Sequence, residues 1–498
     1  MPIMLDAVER CENYGLDPAV GFKSQYVIAR EGALEVPGMS ELPVNKWSLL
    51  HGEAVRPELL KDDKDRVFGA FFGSGVDSEG GVLSAASFAH FNCKSLSFEA
   101  DLEDYLSGVA GCFVMMLDSG TKTRIYRDAM GHMPLFYNAA SSLAAASVSL
   151  TLDRPVIPNS ASANPEETPL SAVAVFPMGQ TMDADVRLLP GNHVLDLADF
   201  TAHRGWPLRN TIRKVTAAKA TPVIDRMAMR LRSIVQSWIT QGNVVLPLDA
   251  GVGSRILLAA AGNKRHALER VCVMHSGKGS DANTLAVTQM MANAAGIGLQ
   301  PMSRGMAFDT FGRDRALRHE RKCLFWLRTS SAVRVPIETK LGIDALYPSQ
   351  ALVLTSAGLD ALQGGWQMGD TPPKPVRDSK TAEITAALAR KPAKAVRDAV
   401  EPDYERWKSS LPKTLQSQVE DFIRIELHQP PQALATLGVA EHLCASPFSD
   451  REIIELALKL PLRLRSGEIF AEALITALDE NLAGLPYEVA LPERTAAE

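Results

Sequence analysis

The sequence predicts an α/β protein in two parts, a β-rich antiparallel first half and a parallel α/β second half. Three observations carry this. Up to about residue 205, short apolar stretches broken by Gly, Ser, Asn and Asp (QYVIA, RVFGAFFGS, GCFVMMLD, TRIYRD, PLFYNA, HVLDL) read as strands. From Thr221 onward, Ile224, Met227, Ala228, Leu231, Ile234, Val235 and Trp238 recur at the spacing of one helix face. Helix, short apolar strand (VVLPL), glycine-containing loop (DAGVG) and helix start (SRILLAAAG) then follow in the order of a parallel α/β unit.

The chain has 498 residues, enough for two to four domains at roughly 100 to 200 residues each. Apolar residues at 46% and charged residues at 22% exclude a disordered or fibrous protein. Lys plus Arg number 52 against 58 Asp plus Glu, for a net charge of -6, and no basic block stands out. Nucleic acid and anionic membrane are therefore not expected partners. Six cysteines (Cys11, Cys93, Cys112, Cys272, Cys323, Cys444) are scattered without a C-x-x-C pair, which predicts reduced thiols and no structural metal. MPIMLDAVERCENYG lacks a signal pattern, and no apolar run approaches the ~20 residues of a membrane span. The expectation is a soluble cytoplasmic protein.

The remaining elements follow in order. Arg154 to Pro169 has almost no apolar periodicity and reads as an exposed loop. RVCVMH is a second buried strand, Thr284 to Ala295 a helix ending near Gly296 and Gly298, and ALVLTS a third strand. Residues 371–412, rich in Pro, Lys, Arg and Ala, read as a mobile insertion with marginal helix. Ser449-Asp450 can cap a helix carrying Ile453, Ile454, Leu456, Ala457 and Leu460 before Pro461 stops it.

Ligands of parallel sheets sit at the carboxyl ends of strands. Two loops qualify. In Asp249-Ala250-Gly251-Val252-Gly253-Ser254, backbone amides and the Ser254 hydroxyl can cradle phosphate, or the glycines can serve only a tight turn. In the loop from Ser356 to Gly365, Asp360 can ligate Mg²⁺ on a nucleotide or cap a helix, and Gly358 lies two residues before it.

Taken in order, these pieces resemble the asparagine synthetase family over most of the chain. Gly111-Cys112-Phe113-Val114 through Asp118, Arg127-Asp128 and Gly131-His132-Met133-Pro134-Leu135-Phe136-Tyr137 look like its G-x-F…D…RD…G-x-x-PLYY stretch, and Leu188-Leu189-Pro190-Gly191 like its L-x-PG turn. DAGVGS sits where the family has S-G-G-x-D-S. LTSAGLDALQGGW is similar to L-S-G-x-G-x-DE-x-x-GGY, and Pro447-Phe448-Ser449-Asp450 with IIELALKLP is similar to PFLD-x-x-L-x-E-x-A-x-x-LP. The resemblance implies an Ntn-type antiparallel β-sandwich with flanking helices over 1–205, of the glutaminase (class II amidotransferase) kind. Over 206–498 it implies a parallel α/β ATP-pyrophosphatase domain of the adenine nucleotide α-hydrolase kind. Asp249, Gly251, Gly253, Ser254, Gly358 and Asp360 would then face pyrophosphate, with Asp360 and Asp249 as candidate Mg²⁺ ligands and Mg-ATP as cofactor. His275 and Asp281 fall where family members approach the nucleotide.

The departures point the other way. The family glutaminase uses an N-terminal cysteine, whereas the first cysteine here is Cys11, so glutaminase activity is expected to be absent. Asp249 replaces the family's first Ser, Ala250 its first Gly, Gly253 its Mg²⁺-binding Asp, Ser356 a Gly and Ala361 an acid. The family lysine that neutralises the transition state is missing from GEIFAEALITALDENLAGLP, with only Lys459 and Arg465 upstream. Two readings stay open. One is an AMP-forming ligase that joins a small-molecule carboxylate to ammonia or an amine. The other is a catalytically inactive homologue that binds a ligand or a partner protein. Either admits a homodimer.

Overall fold

The computed structural model describes residues 5–159, 177–209, 212–275, 280–303, 314–329, 347–364, 383–384, 394–436, 442–466 and 468–487. It is a mixed α/β molecule with two antiparallel sheets and one five-stranded parallel sheet. The strands of the first half are β1 (Tyr26–Arg30), β2 (Ser40–Val44), β3 (Trp47–His51), β4 (Glu58–Lys61), β5 (Val67–Val76), β6 (Ala110–Asp118), β7 (Thr123–Arg127), β8 (Phe136–Asn138), β9 (Leu143–Ala145), β10 (Arg187–Leu188), β11 (His193–Asp196) and β12 (Thr201–Arg204). One sheet runs β10-β8-β9-β1-β3-β2 and the other β12-β11-β7-β6-β5-β4.

The two sheets pack face to face. Tyr26, Ile28 and Leu49 from one meet Phe72, Val114 and Met116 from the other, with the rings of Tyr26 and Phe72 4.6 Å apart. Alternate residues point outward and are buried too. Val27 and Ala29 lie under helices Asp6–Asn13, Pro18–Gly21 and Arg315–Thr329, and Phe113 and Met115 under helix Phe98–Ser107. Burial on both faces explains why these strands read as continuous apolar runs. The first sixty residues thus supply two covering helices and the strands β1 to β3 of the sheet beneath them.

The parallel sheet holds β13 (Val244–Leu248), β14 (Arg270–His275), β15 (Gln300–Ser303), β16 (Leu352–Leu354) and β17 (Leu443–Ala445), in the order β15-β14-β13-β16-β17. The expected helix from Thr221 spans Thr221–Gln241 and buries Met227, Leu231, Ile234 and Trp238. Asp450 caps helix Arg451–Lys459, its carboxylate accepting the Ile453 N–H at 2.7 Å.

Two expectations change. Within the segment read as a mobile insertion, Lys394–Ser410 is a helix that buries Val400, Tyr404 and Trp407. Those residues and Leu411 recur at helical spacing, which the Pro, Lys and Arg composition had hidden; 371–382 and 385–393 lie outside the described residues. Of the loop from Arg154 to Pro169, residues 154–159 are tied down. Arg154 pairs with Asp183 at 2.7 Å, and Pro158 bridges to Asp183.

The halves meet across buried charges. Arg230 donates to Asp450 (Nη2, 2.7 Å) and to the carbonyls of Asp77 and Gly108 in the first half. Glu426, fully buried, accepts from Arg204 and from the Trp407 indole at 2.8 Å. Asp128 accepts from the His132 amide and from the Ser449 hydroxyl at 2.7 Å. Removing one partner of such a pair leaves a desolvated charge uncompensated, so Arg230→Met should cost about 3–5 kcal/mol in urea unfolding. A cost under ~1 kcal/mol would show that water reaches Asp450.

His193 lies in the same seam, its Nδ1 2.7 Å from the Gly191 carbonyl. Burial lowers its imidazole from the ordinary 6.5 to about 4, against the opposing pull of Glu426. The unfolded chain therefore takes up this proton first, so the contribution is full above pH 6.5 and is lost as pH falls toward 4. His193→Asn should flatten the decline of Tm between those values; an unchanged slope would assign the decline to another group.

Candidate functional site

β13 and β16 are adjacent and parallel, so the loops after them, Asp249–Gly251 and Thr355–Gly358, emerge side by side at one edge of the sheet. β17 is next in order, and Ser446 to Asp450 follow it. The sequence-predicted residues are thus brought to one place by topology.

The first loop closes on itself. Asp249 Oδ1 accepts the Gly251 N–H at 2.8 Å and the Ser254 hydroxyl at 2.7 Å. Ser254, buried in helix Val252–Ala261, also takes the Asp249 N–H at 3.1 Å. A helix start presents unpaired N–H groups that favour an anion. Here the protein's own carboxylate sits just ahead of that start, accepting from the Gly251 amide and the Ser254 hydroxyl expected to face phosphate, while no side chain caps the first turn itself.

The second loop is wedged against the first. A Cβ on Gly253 would lie 2.6 Å from Ser356 Cβ and closer still to its hydroxyl. Gly253 and Ser356 stand at two positions where the family pattern has Asp and Gly, so bulk missing at one site is present at the other. Gly358 holds φ +92°, and a Cβ there would meet the Met130 thioether, 3.1 Å from its Cε. Glycine is required on both counts. Asp360, exposed in the first turn of helix Leu359–Leu362, has Gln429 Nε2 at 3.4 Å from Oδ1. Ala361, at the place of the family's second acid, is buried.

The cations are committed elsewhere. Lys459 pairs with Glu455 at 2.7 Å, and buried Arg465 donates to Asp421 and to the Leu362 carbonyl. Arg255, in the helix after the first loop, donates to the carbonyls of Leu485 and Pro486 and lies over the Tyr487 ring. His275 ends β14 half-buried; 276–279, the Asp281 side chain and Trp366 lie outside the described residues. Trp206 packs against Phe422.

A cavity of about 550 Å³ opens between the halves, lined by Tyr26, Phe72, Cys112 and His132 on one side and Ala351 and Cys444 on the other. Two buried polar atoms on its wall, Ser24 Oγ and Gln25 Oε1, lack a hydrogen-bond partner. Burial holds the His132 imidazole below its usual range, opposed by Asp128, with the Gln429 amide alongside. His132 was legible only as a polar residue in an apolar motif. Burial raises the Cys112 thiol well above its ordinary value and Cys11 to about 11, so both are protonated. Cys11 lies inside the first helix with its Sγ toward the Leu16 carbonyl.

The Asp249 carboxylate is turned into its own loop, and among the described residues no group of three or more His, Cys, Asp or Glu could hold a metal ion. No helix among the described residues is long and apolar enough to cross a membrane. No family model and no curated protein matches the chain. Among solved structures, the NH3-dependent NAD synthetase from Campylobacter jejuni subsp. jejuni NCTC 11168, in complex with the nitrate ion, is similar over 41% of this chain and 93% of its own at 14% identity. The TM-score is 0.20, and at that value the likeness carries no functional information.

The loop contact is measurable. Gly-to-Ala in a helix ordinarily gains up to about 1 kcal/mol, but Gly253→Ala should cost about 1–3 kcal/mol from the overlap with Ser356. In a Ser356→Gly background the sign should reverse, giving a coupling of order 1–3 kcal/mol in denaturant unfolding. Equal effects in both backgrounds would exclude the contact.

Proposed function

We propose that this chain is a non-catalytic relative of the asparagine synthetases, with an inactive glutaminase-like Ntn sandwich over 1–205 and an ATP-pyrophosphatase-type domain over 206–498. Its role is to bind a ligand or a partner protein. The observation that carries the reading is the Asp249 carboxylate seated on the Gly251 amide and the Ser254 hydroxyl. A pyrophosphate oxygen would have to displace it and then sit beside a like charge, at a cost of order 1–4 kcal/mol at ~4 Å. Three further features support the reading. Asp is absent at 253, an acid is absent at 361, and Lys459 and Arg465 are paired with Glu455 and Asp421. The protonated, buried Cys11 and Cys112 are unsuited to attack glutamine. The cavity between the halves, with its unpartnered polar wall, is the place for a small polar ligand.

The test is calorimetry with Mg-ATP on the full chain, beside Asp249→Ser and an Asp249→Ser/Gly253→Asp/Ser356→Gly triple variant. The expected result is no saturable heat in the unaltered protein and binding gained in the triple variant. Gly253→Asp without Ser356→Gly should gain nothing, because the new side chain would meet Ser356. Saturable Mg-ATP binding by the unaltered protein, accompanied by pyrophosphate release with a carboxylate and an amine, would overturn the reading. It would favour an ATP-using amide ligase employing Gly251, Ser254, Gly358 and Asp360.

A further inference from the structure

A second cleft lies at the opposite end of the sheet pair. The cavity between the halves is reached from the start of β1 at Tyr26 and from Cys112 near the start of β6, whereas this cleft is reached from the other ends of the same strands, at Arg30 and Asp118. Its volume is about 520 Å³, within the range of roughly 300–1,000 Å³ typical of small-molecule sites.

Its charge is one-sided in a chain that is acidic as a whole. Arg30, Lys46, Arg66, Lys94 and Lys122 line it, against the single carboxylate of Asp118. That carboxylate is buried and already used, Oδ1 accepting the Gly120 N–H at 2.8 Å and Oδ2 the Asn45 amide at 3.0 Å. Arg66 is held by buried Asp62, with Asp63 at 3.9 Å, and Lys122 has Glu99 at 3.6 Å on the rim. Arg30, Lys46 and Lys94 form no ion pair among the described residues. Arg30 is set 4.1 Å over the buried Trp47 ring, a contact that fixes a guanidinium without neutralising it. Lys94 Nζ lies 3.2 Å from where a Cβ on Gly120 would be, which places the ammonium over the β6–β7 turn. That turn adds the hydroxyl of Thr121, beside Ser119, whose own hydroxyl donates to the Glu99 carboxylate at 2.9 Å.

We propose that this cleft binds a small oligophosphate-bearing molecule, with Arg30, Lys46 and Lys94 as its principal cations and the Thr121 hydroxyl as a further donor. Several separate, uncompensated cations around one cleft suit an anion with charge on more than one group, and a guanidinium can pair with phosphate oxygens in two-point fashion. The size of the cleft and the overall charge of -6 favour a small molecule over a polynucleotide. The site is independent of the Asp249 loop.

The probe is inorganic tripolyphosphate, titrated by calorimetry into the full chain at low and at physiological salt. Saturable binding that weakens with salt is expected. Lys46→Glu/Lys94→Glu should weaken it at least about tenfold per charge altered, while Lys264→Glu on a remote surface and Asp249→Ser leave it unchanged. Both altered lysines are exposed, so thermal unfolding of the double variant should match the parent and separate lost binding from lost folding. Absence of saturable heat up to about 1 mM, or equal weakening by Lys264→Glu, would overturn the proposal. So would equal affinity for orthophosphate, or tighter binding of a short single-stranded oligonucleotide. Binding strengthened in Asp249→Ser instead would move the anion to the other loop and overturn the proposal.

Discussion

The structure depends on how its buried charges are shared. Asp450 and Glu426 are fully buried, and each carboxylate is faced by a guanidinium, that of Arg230 and that of Arg204, whose removal would leave a desolvated polar group without its partner. Arg230 satisfies Asp450 and at the same time the carbonyls of Asp77 and Gly108. Arg451, half-buried next to Asp450, reaches the Leu106 carbonyl and Asn192. These donors belong to the second half and most of their acceptors to the first, so the relative placement of the sheets is set by directional bonds as well as by apolar area. Met130, seated at Gly358, carries that placement to the candidate site.

Within this frame the first loop is a helix start that has acquired its own counter-ion. Its amides would be costly to leave unpaired, and a mobile phosphate would satisfy them only while bound. A carboxylate three residues before the helix satisfies one of them, that of Gly251, permanently. The loop gains a fixed conformation and loses a vacancy. The framework around it, from VVLPL to IIELALKLP, keeps the packing of an α/β domain, which is why the segment still reads as a binding loop.

Much of this was legible in the sequence. The strands QYVIA, GCFVMMLD, VVLPL and RVCVMH, the helix from Thr221 and the Asp450 cap follow from periodicity and capping chemistry, which act locally. The hairpin of β2 and β3 is hidden because Pro43 inside SELPV argues against a strand, and the helix Lys394–Ser410 because composition outweighs its apolar spacing. At the site, the loop positions could be read but the direction of the Asp249 side chain could not. Whether a carboxylate faces solvent or its own amides is decided by a few dihedral angles. His132 and Gln429, far apart in sequence, meet only through the tertiary fold.

The fit of Gly253 against Ser356 bears on history as well as packing. If the chain descends from one with Asp at 253 and Gly at 356, as the resemblance implies, a side chain could be added at 356 only once the one at 253 had been removed. The two changes then have a fixed order, and the second locks the first. Reverting position 253 alone would meet an obstacle that did not exist when it was lost. Recovery of the ancestral chemistry would be barred by sterics even under selection that favoured it.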